Sequence, residues 1–94
     1  MHPLESLLAP HRPELDRLRV RSLSIFGSVA RGEATAASDL DVLVELDGPA
    51  TFDAYMDLKE LLESLTARRI QLVTDRALKP LMRSNIAKDL VRVA

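Results

Sequence analysis

The sequence predicts an α+β fold, a small mixed β-sheet flanked by helices, and three observations carry the prediction. Short β-prone runs at residues 22–26, 40–46 and 69–73 alternate with stretches whose apolar residues recur at helical spacing. A glycine–serine corner, Phe26-Gly27-Ser28, closes the first run, and Asp39-Leu40-Asp41 opens the second. The chain has 94 residues, enough for one core but short of a second lobe, so residues 1–94 are expected to form one domain.

Taken in order, residues 3–19 carry Leu4, Leu7, Leu8, Leu15 and Leu18 at roughly helical spacing. Pro10 and Pro13 interrupt them, which predicts a short helical turn and a second start near Pro10, where proline fits a first turn. The first strand places Leu23 and Ile25 on one face and Ser22, Ser24 and Phe26 on the other. Residues 28–31 are expected to form a short helix, and 34–38 (Ala-Thr-Ala-Ala-Ser) a tight loop. In the second strand Leu40, Val42 and Val44 lie opposite the acids. Leu43 shares the acids' face farther along, which predicts burial on both sides there.

Asp47-Gly48-Pro49 reads as a turn. Thr51 is a suitable N-cap for a helix from Phe52 to about Thr66. Phe52, Tyr55, Met56, Leu58, Leu61, Leu62 and Leu65 give that helix a wide apolar face, with Asp53, Asp57, Glu60 and Glu63 toward water. Thr74-Asp75 opens a further helical segment, in which Leu78, Leu81 and Met82 are expected to pack and Pro80 to shorten the helix. Residues 85–94 end as an edge strand or a helix tail.

Composition narrows the function classes. Only Phe26, Phe52 and Tyr55 are aromatic, so the core is aliphatic and no platform for stacking single-stranded bases is present. A formal net charge of −1 argues against a dedicated nucleic-acid binder. Clusters at Arg17, Arg19 and Arg21 and at Arg68, Arg69 and Arg76 read as helix-end solvation or pairing with nearby acids. No cysteine is present, which removes disulfides and thiolate metal sites. Neither histidine has a partner at metal-ligand spacing. No signal peptide and no apolar run of membrane-spanning length are visible, so a cytoplasmic location is expected.

The chemistry concentrates in residues 26–44. Gly27 lets backbone approach a ligand closely, and Ser28 offers a hydroxyl and an amide at the start of a short helix, where anions are favoured. Asp39 and Asp41, two apart at a strand start, point to one face. Carboxylates beside an anion cradle suit Mg²⁺ with a triphosphate, because that ion combines one or two carboxylates with substrate phosphates. Arg31 has two readings, a phosphate clamp or an ion-pairing residue for the loop and the acids at Glu33 or Asp39.

Gly27-Ser28-Val29-Ala30-Arg31-Gly32 followed by Ser38-Asp39-Leu40-Asp41 resembles the signature of the DNA polymerase beta-like nucleotidyltransferase superfamily. The short chain looks most like its minimal nucleotidyltransferase branch, the MntA-type antitoxins encoded beside HepT (HEPN-domain) toxins. The resemblance implies a polymerase beta palm-like fold in a single minimal nucleotidyltransferase domain. It implies Mg²⁺ bound by Asp39 and Asp41, and ATP held by Gly27 and Ser28, with Arg31 and Ser38 as further candidate nucleotide-binding residues. It also implies transfer of AMP from ATP to a HEPN-domain toxin, with Asp39 and Asp41 catalytic.

One departure stands out. The family's third carboxylate should fall in the strand at 69–73, where this chain has Ile70-Gln71-Leu72-Val73. An amide at Gln71 brings no charge and is a poor base. Glu45, four residues beyond Asp41, is about 13 Å away along a strand, and Asp75 would need a sharp turn back. Two readings therefore stand: an active adenylyltransferase, or a catalytically impaired module that binds its partner. Small-molecule adenylylation is disfavoured because no acceptor-binding second domain is present. Apolar helical surfaces suggest a homodimer, a complex with a helical partner, or both.

Overall fold

A computed structural model describes residues 3–35, 37–78 and 80–94, with the side chains of residues 80–83 excluded. Its helices are α1 (Pro3–Leu8), α2 (Arg12–Arg17), α3 (Gly27–Ala30), α4 (Phe52–Thr66) and α5 (Pro80–Ala87). Single 3-10 turns occupy Ala9–His11 and Asp75–Ala77. The strands are β1 (Val20–Phe26), β2 (Leu40–Leu46), β3 (Ile70–Thr74) and β4 (Val91–Arg92), ordered β3-β2-β1-β4 in one sheet. The sheet is mixed, as expected: β1 runs antiparallel to both β2 and β4, while β2 and β3 are parallel and joined through α4. The C-terminal stretch holds both expected alternatives in sequence, a helix and then an edge strand.

One sheet face builds the core. Leu23, Ile25, Val42, Val44, Ile70 and Leu72 are buried against Leu8, Leu15, Leu58 and Leu62 from the helices. Removing such aliphatic surface from water is the main favourable term in folding. Strand β1 begins two residues before the expected start because a register shift between Val20 and Ser22 inserts Arg21 as an extra residue. Val20 is thereby paired with Leu46 and only 3% exposed, whereas unbroken alternation from Leu23 would turn it to the opposite face. Arg19, just before it, holds a left-handed backbone with φ 62°.

Helix α4 starts where its cap dictates, with the Thr51 hydroxyl accepting from the Ala54 amide at 3.1 Å. The apolar face of α4 is narrower than expected. Phe52, in the first turn, is 76% exposed and lies outside the core. At the N-terminus the second start falls at Arg12, with Pro13 in the first turn of α2 and Pro10 in the preceding 3-10 turn. Thr74 caps the second 3-10 turn through its hydroxyl, and Leu78 is buried. The expected packing of Leu81 and Met82 lies outside the described residues.

Helix α4 also protects the outer edge of the sheet. The outward-facing residues of β3 leave backbone groups unpaired by β2. The Tyr55 hydroxyl donates to the Leu72 carbonyl at 2.8 Å, and the Ile70 amide donates to the Glu63 carboxylate at 3.2 Å.

Candidate active site

The second sheet face carries the acids. Leu40, directly between Asp39 and Asp41, is 2% exposed in the core, so strand alternation turns both carboxylates to the other side. Asp41 pairs with Phe26 on β1, the last residue before Gly27, and this brings the glycine–serine corner against the carboxylate. Two requirements meet at Gly27. Its φ of 73° is a left-handed value, and a Cβ added there would fall 2.2 Å from Asp41 Oδ2. Among the described residues no side chain caps α3, whose N-cap residue is Phe26. Ser28 stands in this turn, half-buried.

The electrostatics follow from this closeness. Burial raises the pKa of Asp41 above the ordinary carboxylate value, the neighbouring charge of Asp39 raises it further, and Arg31 partly opposes both. Arg31 is itself held from two sides, with Nη1 donating to Asp89 at 2.8 Å and Nε at 3.4 Å from Glu33. Of its two sequence readings, the ion-pairing one describes this arrangement, with Asp89 in the place where Asp39 was the expected alternative. Asp89 lies 58 residues along the chain, just before β4, and no local pattern announces it.

Ser38 organises the loop next to the acids. Its hydroxyl accepts from the Thr35 amide at 3.0 Å, and its amide donates to the Thr35 carbonyl at 3.1 Å. Arg68 closes the loop from outside, with Nη1 donating to the carbonyls of both Thr35 and Ser38 at 3.1 Å. The sequence predicts helix-end solvation or pairing with nearby acids for Arg68, and these carbonyl contacts are neither. Its role depends on the left-handed turn at Ala67, which ends α4.

Gln71 sits directly across from Asp41 in the parallel β2–β3 register, so its side chain shares the acids' face. Asp75 follows Thr74, which pairs with Val44, and so leaves the sheet at the end away from Asp41. Glu45 pairs with Ser22, also toward that far end. Neither stands beside Asp41. Among the described residues no group of three His, Cys, Asp or Glu side chains could hold a metal ion. The donor set still fits a hard divalent cation that takes its remaining ligands from phosphate and water, because two mutually repelling carboxylates stand together and Asp41 Oδ2 lies against the bare backbone of Gly27, where any Cβ would displace it.

The family model for the nucleotidyltransferase domain matches residues 9–93. The chain belongs to the nucleotidyltransferase domain family.

Within that family the likeness is to minimal, MntA-type members. The chain is 39% identical over 93 residues to protein adenylyltransferase MntA of Thermococcus cleftensis, spanning 98% of this chain and 90% of that protein. It is 35% identical over 94 residues to a Methanocaldococcus jannaschii protein named as a candidate protein adenylyltransferase, with 96% and 94% covered. A solved candidate minimal nucleotidyltransferase superposes with TM-score 0.76 at 34% identity, over 96% of this chain and 95% of that one. A toxin–antitoxin complex with AMP-PNP matches with TM-score 0.76 at 18% identity, over 96% of this chain and 72% of that one. A tri-AMPylated Shewanella oneidensis HEPN toxin in complex with its MNT antitoxin matches with TM-score 0.67 at 15% identity, covering 97% and 71%. These two complexes share the fold.

Proposed function

We propose that this chain is an MntA-type antitoxin that binds Mg²⁺-ATP at the Gly27-Ser28 corner and the Asp39–Asp41 pair, and neutralises a HEPN-domain toxin by transferring AMP to it. The observation that carries this reading is the contact between Gly27 and Asp41, where only a residue without a side chain leaves the carboxylate in place. The similarity to a protein adenylyltransferase and the fold shared with an AMPylated toxin complex support the transfer chemistry.

In that reaction the acceptor hydroxyl oxygen bonds to the α-phosphorus of ATP, the bond to the bridging oxygen breaks, and pyrophosphate leaves while the acceptor loses its proton. When bound, Mg²⁺ would supply charge neutralisation for the phosphates and for the leaving pyrophosphate. Asp39 and Asp41 would hold that ion, the first-turn amides of α3 and Ser28 would receive the phosphates, and Arg31 would add a nearby positive charge. The Ser38–Thr35 turn fixes the backbone leading into Asp39, with Arg68 securing it.

Gln71 favours a second reading, a catalytically impaired module that still binds nucleotide and silences its partner by covering it. The position across from Asp41 carries an amide where proton removal from the acceptor calls for a carboxylate. Labelled ATP with the toxin from the neighbouring reading frame separates the two. Transfer by the native chain removes the impaired reading, whereas transfer only after Gln71→Asp removes the active one. Asp39→Ala should abolish Mg²⁺-dependent ATP binding in calorimetry under either reading, and retained binding would sink both. Among the described residues no helix is long and apolar enough to cross a membrane. We place the protein in the cytoplasm, with no direct nucleic-acid binding, and leave room for a homodimer beside the toxin complex.

A further inference from the structure

The end of the sheet remote from the acids carries a second built surface. Val20 and Leu46 pair there, six residues of β1 away from Phe26, which is about 20 Å at the rise of an extended strand. Two grooves meet at this end and share Arg19. One, of about 560 Å³, is lined by Arg12, Asp16, Arg19, Arg21 and Asp47. The other, of about 240 Å³, is lined by Arg17, Leu18, Arg19, Leu46, Pro49 and Ala54.

The arginines of these grooves are not equivalent. Arg12 pairs with Asp16 at 2.9 Å, and Arg21 pairs with Asp47. Arg17 and Arg19 have no hydrogen bond or ion pair through their side chains among the described residues. Both are exposed. Their groove has an apolar wall of Leu18, Leu46 and Pro49, and Thr51 in its lining is followed directly by Phe52, 76% exposed.

Arg19 stands just past the end of α2 with φ 62°, a place where glycine is unstrained and an L side chain is not. The negative end of α2 accounts for a cation at Arg17. It does not account for a long side chain at the strained position beside it, and such strain points to use of the residue.

We propose that Arg17, Arg19 and Phe52 form a docking surface for an acidic, apolar-tipped segment of the protein partner, separate from the nucleotide site. Free cations around an apolar wall match carboxylates flanking an apolar side chain, and an exposed aromatic is a common anchor at such contacts. The net charge of −1 for the whole chain disfavours a nucleic-acid backbone as the occupant. The inference rests on the antitoxin reading only in taking that partner to be the HEPN-domain toxin.

The test uses the full chain and the HEPN-domain protein from the neighbouring reading frame, with ATP titrated separately. Arg17→Glu with Arg19→Glu should weaken the complex about tenfold or more, and flatten its salt dependence, while ATP affinity stays within about twofold. Phe52→Ala should weaken it about fivefold. Arg19→Gly guards against misfolding: it relieves the backbone strain, so the melting temperature should hold or rise while partner affinity falls. Unchanged partner affinity in the charge-reversed variant overturns the proposal. If the native chain does not bind the HEPN-domain protein, the antitoxin reading fails. A labelled amphipathic peptide with glutamates flanking leucines then decides the surface. Binding lost on charge reversal supports it, and no binding overturns it. A short single-stranded RNA competing at the same arginines would also overturn the assignment to an acidic protein.

Discussion

Replacing Gly27 with alanine perturbs two things at once, and Gly32 allows them to be separated. Both glycines have left-handed backbones, φ 73° and 74°. A Cβ on Gly32 would meet nothing within 4 Å, whereas one on Gly27 would lie 2.2 Å from Asp41 Oδ2. The strain common to both substitutions is about 1–2 kcal/mol for an L residue in this region, offset by about 0.4–1 kcal/mol from the reduced entropy of the unfolded chain. Gly32→Ala should therefore cost about 0–1.5 kcal/mol. Gly27→Ala adds an overpacking term of about 1–3 kcal/mol. With about 4–8 °C of melting temperature per kcal/mol in a domain of this size, Gly27→Ala should melt several degrees below Gly32→Ala. The displaced carboxylate should also weaken Mg²⁺-ATP binding about tenfold or more, the scale of losing one charged contact of about 1.4 kcal/mol or above. Truncating Asp41 to alanine removes Oδ2 and Cγ and leaves only Cβ, at an ordinary 3.6 Å. In the double variant the extra destabilisation of Gly27→Ala should disappear, which a double-mutant cycle by thermal melting measures directly. Equal melting of the two glycine variants, or an additive cycle, would refute the close contact on which the site depends.

Asp41→Asn tests the electrostatic cost of the site. The folded-state pKa of Asp41 is raised, so its contribution to stability is greatest below the ordinary carboxylate range and is lost as pH rises through the folded value. The variant should thus melt higher than the native chain at pH 7, with the gain vanishing in acid, and the rise in melting temperature expected of the native chain with Mg²⁺ and ATP should be lost in it. Leu58→Ala, at a side chain 1% exposed, should cost about 2–5 kcal/mol in chemical denaturation through the lost burial and the cavity. Tyr55→Phe leaves the Leu72 carbonyl without its donor and should cost about 0.5–1.5 kcal/mol, read from urea midpoints. Thr51→Ala removes the cap from Ala54 and should cost about 1 kcal/mol by the same assay.

The parts of the fold that local chemistry decides are the parts the sequence states openly. Strand β2 at Leu40–Leu46 and helix α4 at Phe52–Thr66 match their expected bounds, since alternation and a threonine cap are properties of neighbours in the chain. The acids and the glycine–serine corner were legible for the same reason, and their contact needed only the β1–β2 pairing. What stayed hidden depends on distant partners. The bulge at Arg21 is fixed by the register against β2, so the true start of β1 could not be read from alternation alone. The exposure of Phe52 reflects where α4 begins relative to the sheet, which an apolar periodicity does not encode. Arg31 with Asp89, and Arg68 with the 35–38 turn, join residues that no spacing rule connects.

The Tyr55 and Glu63 contacts to Leu72 and Ile70 bear on how the molecule behaves in a crowded cell. With two of its exposed main-chain groups answered by its own helix, the outermost strand is a poor template for a second copy to extend. Self-association through that edge is thereby disfavoured, which leaves side-chain surfaces as the route for it.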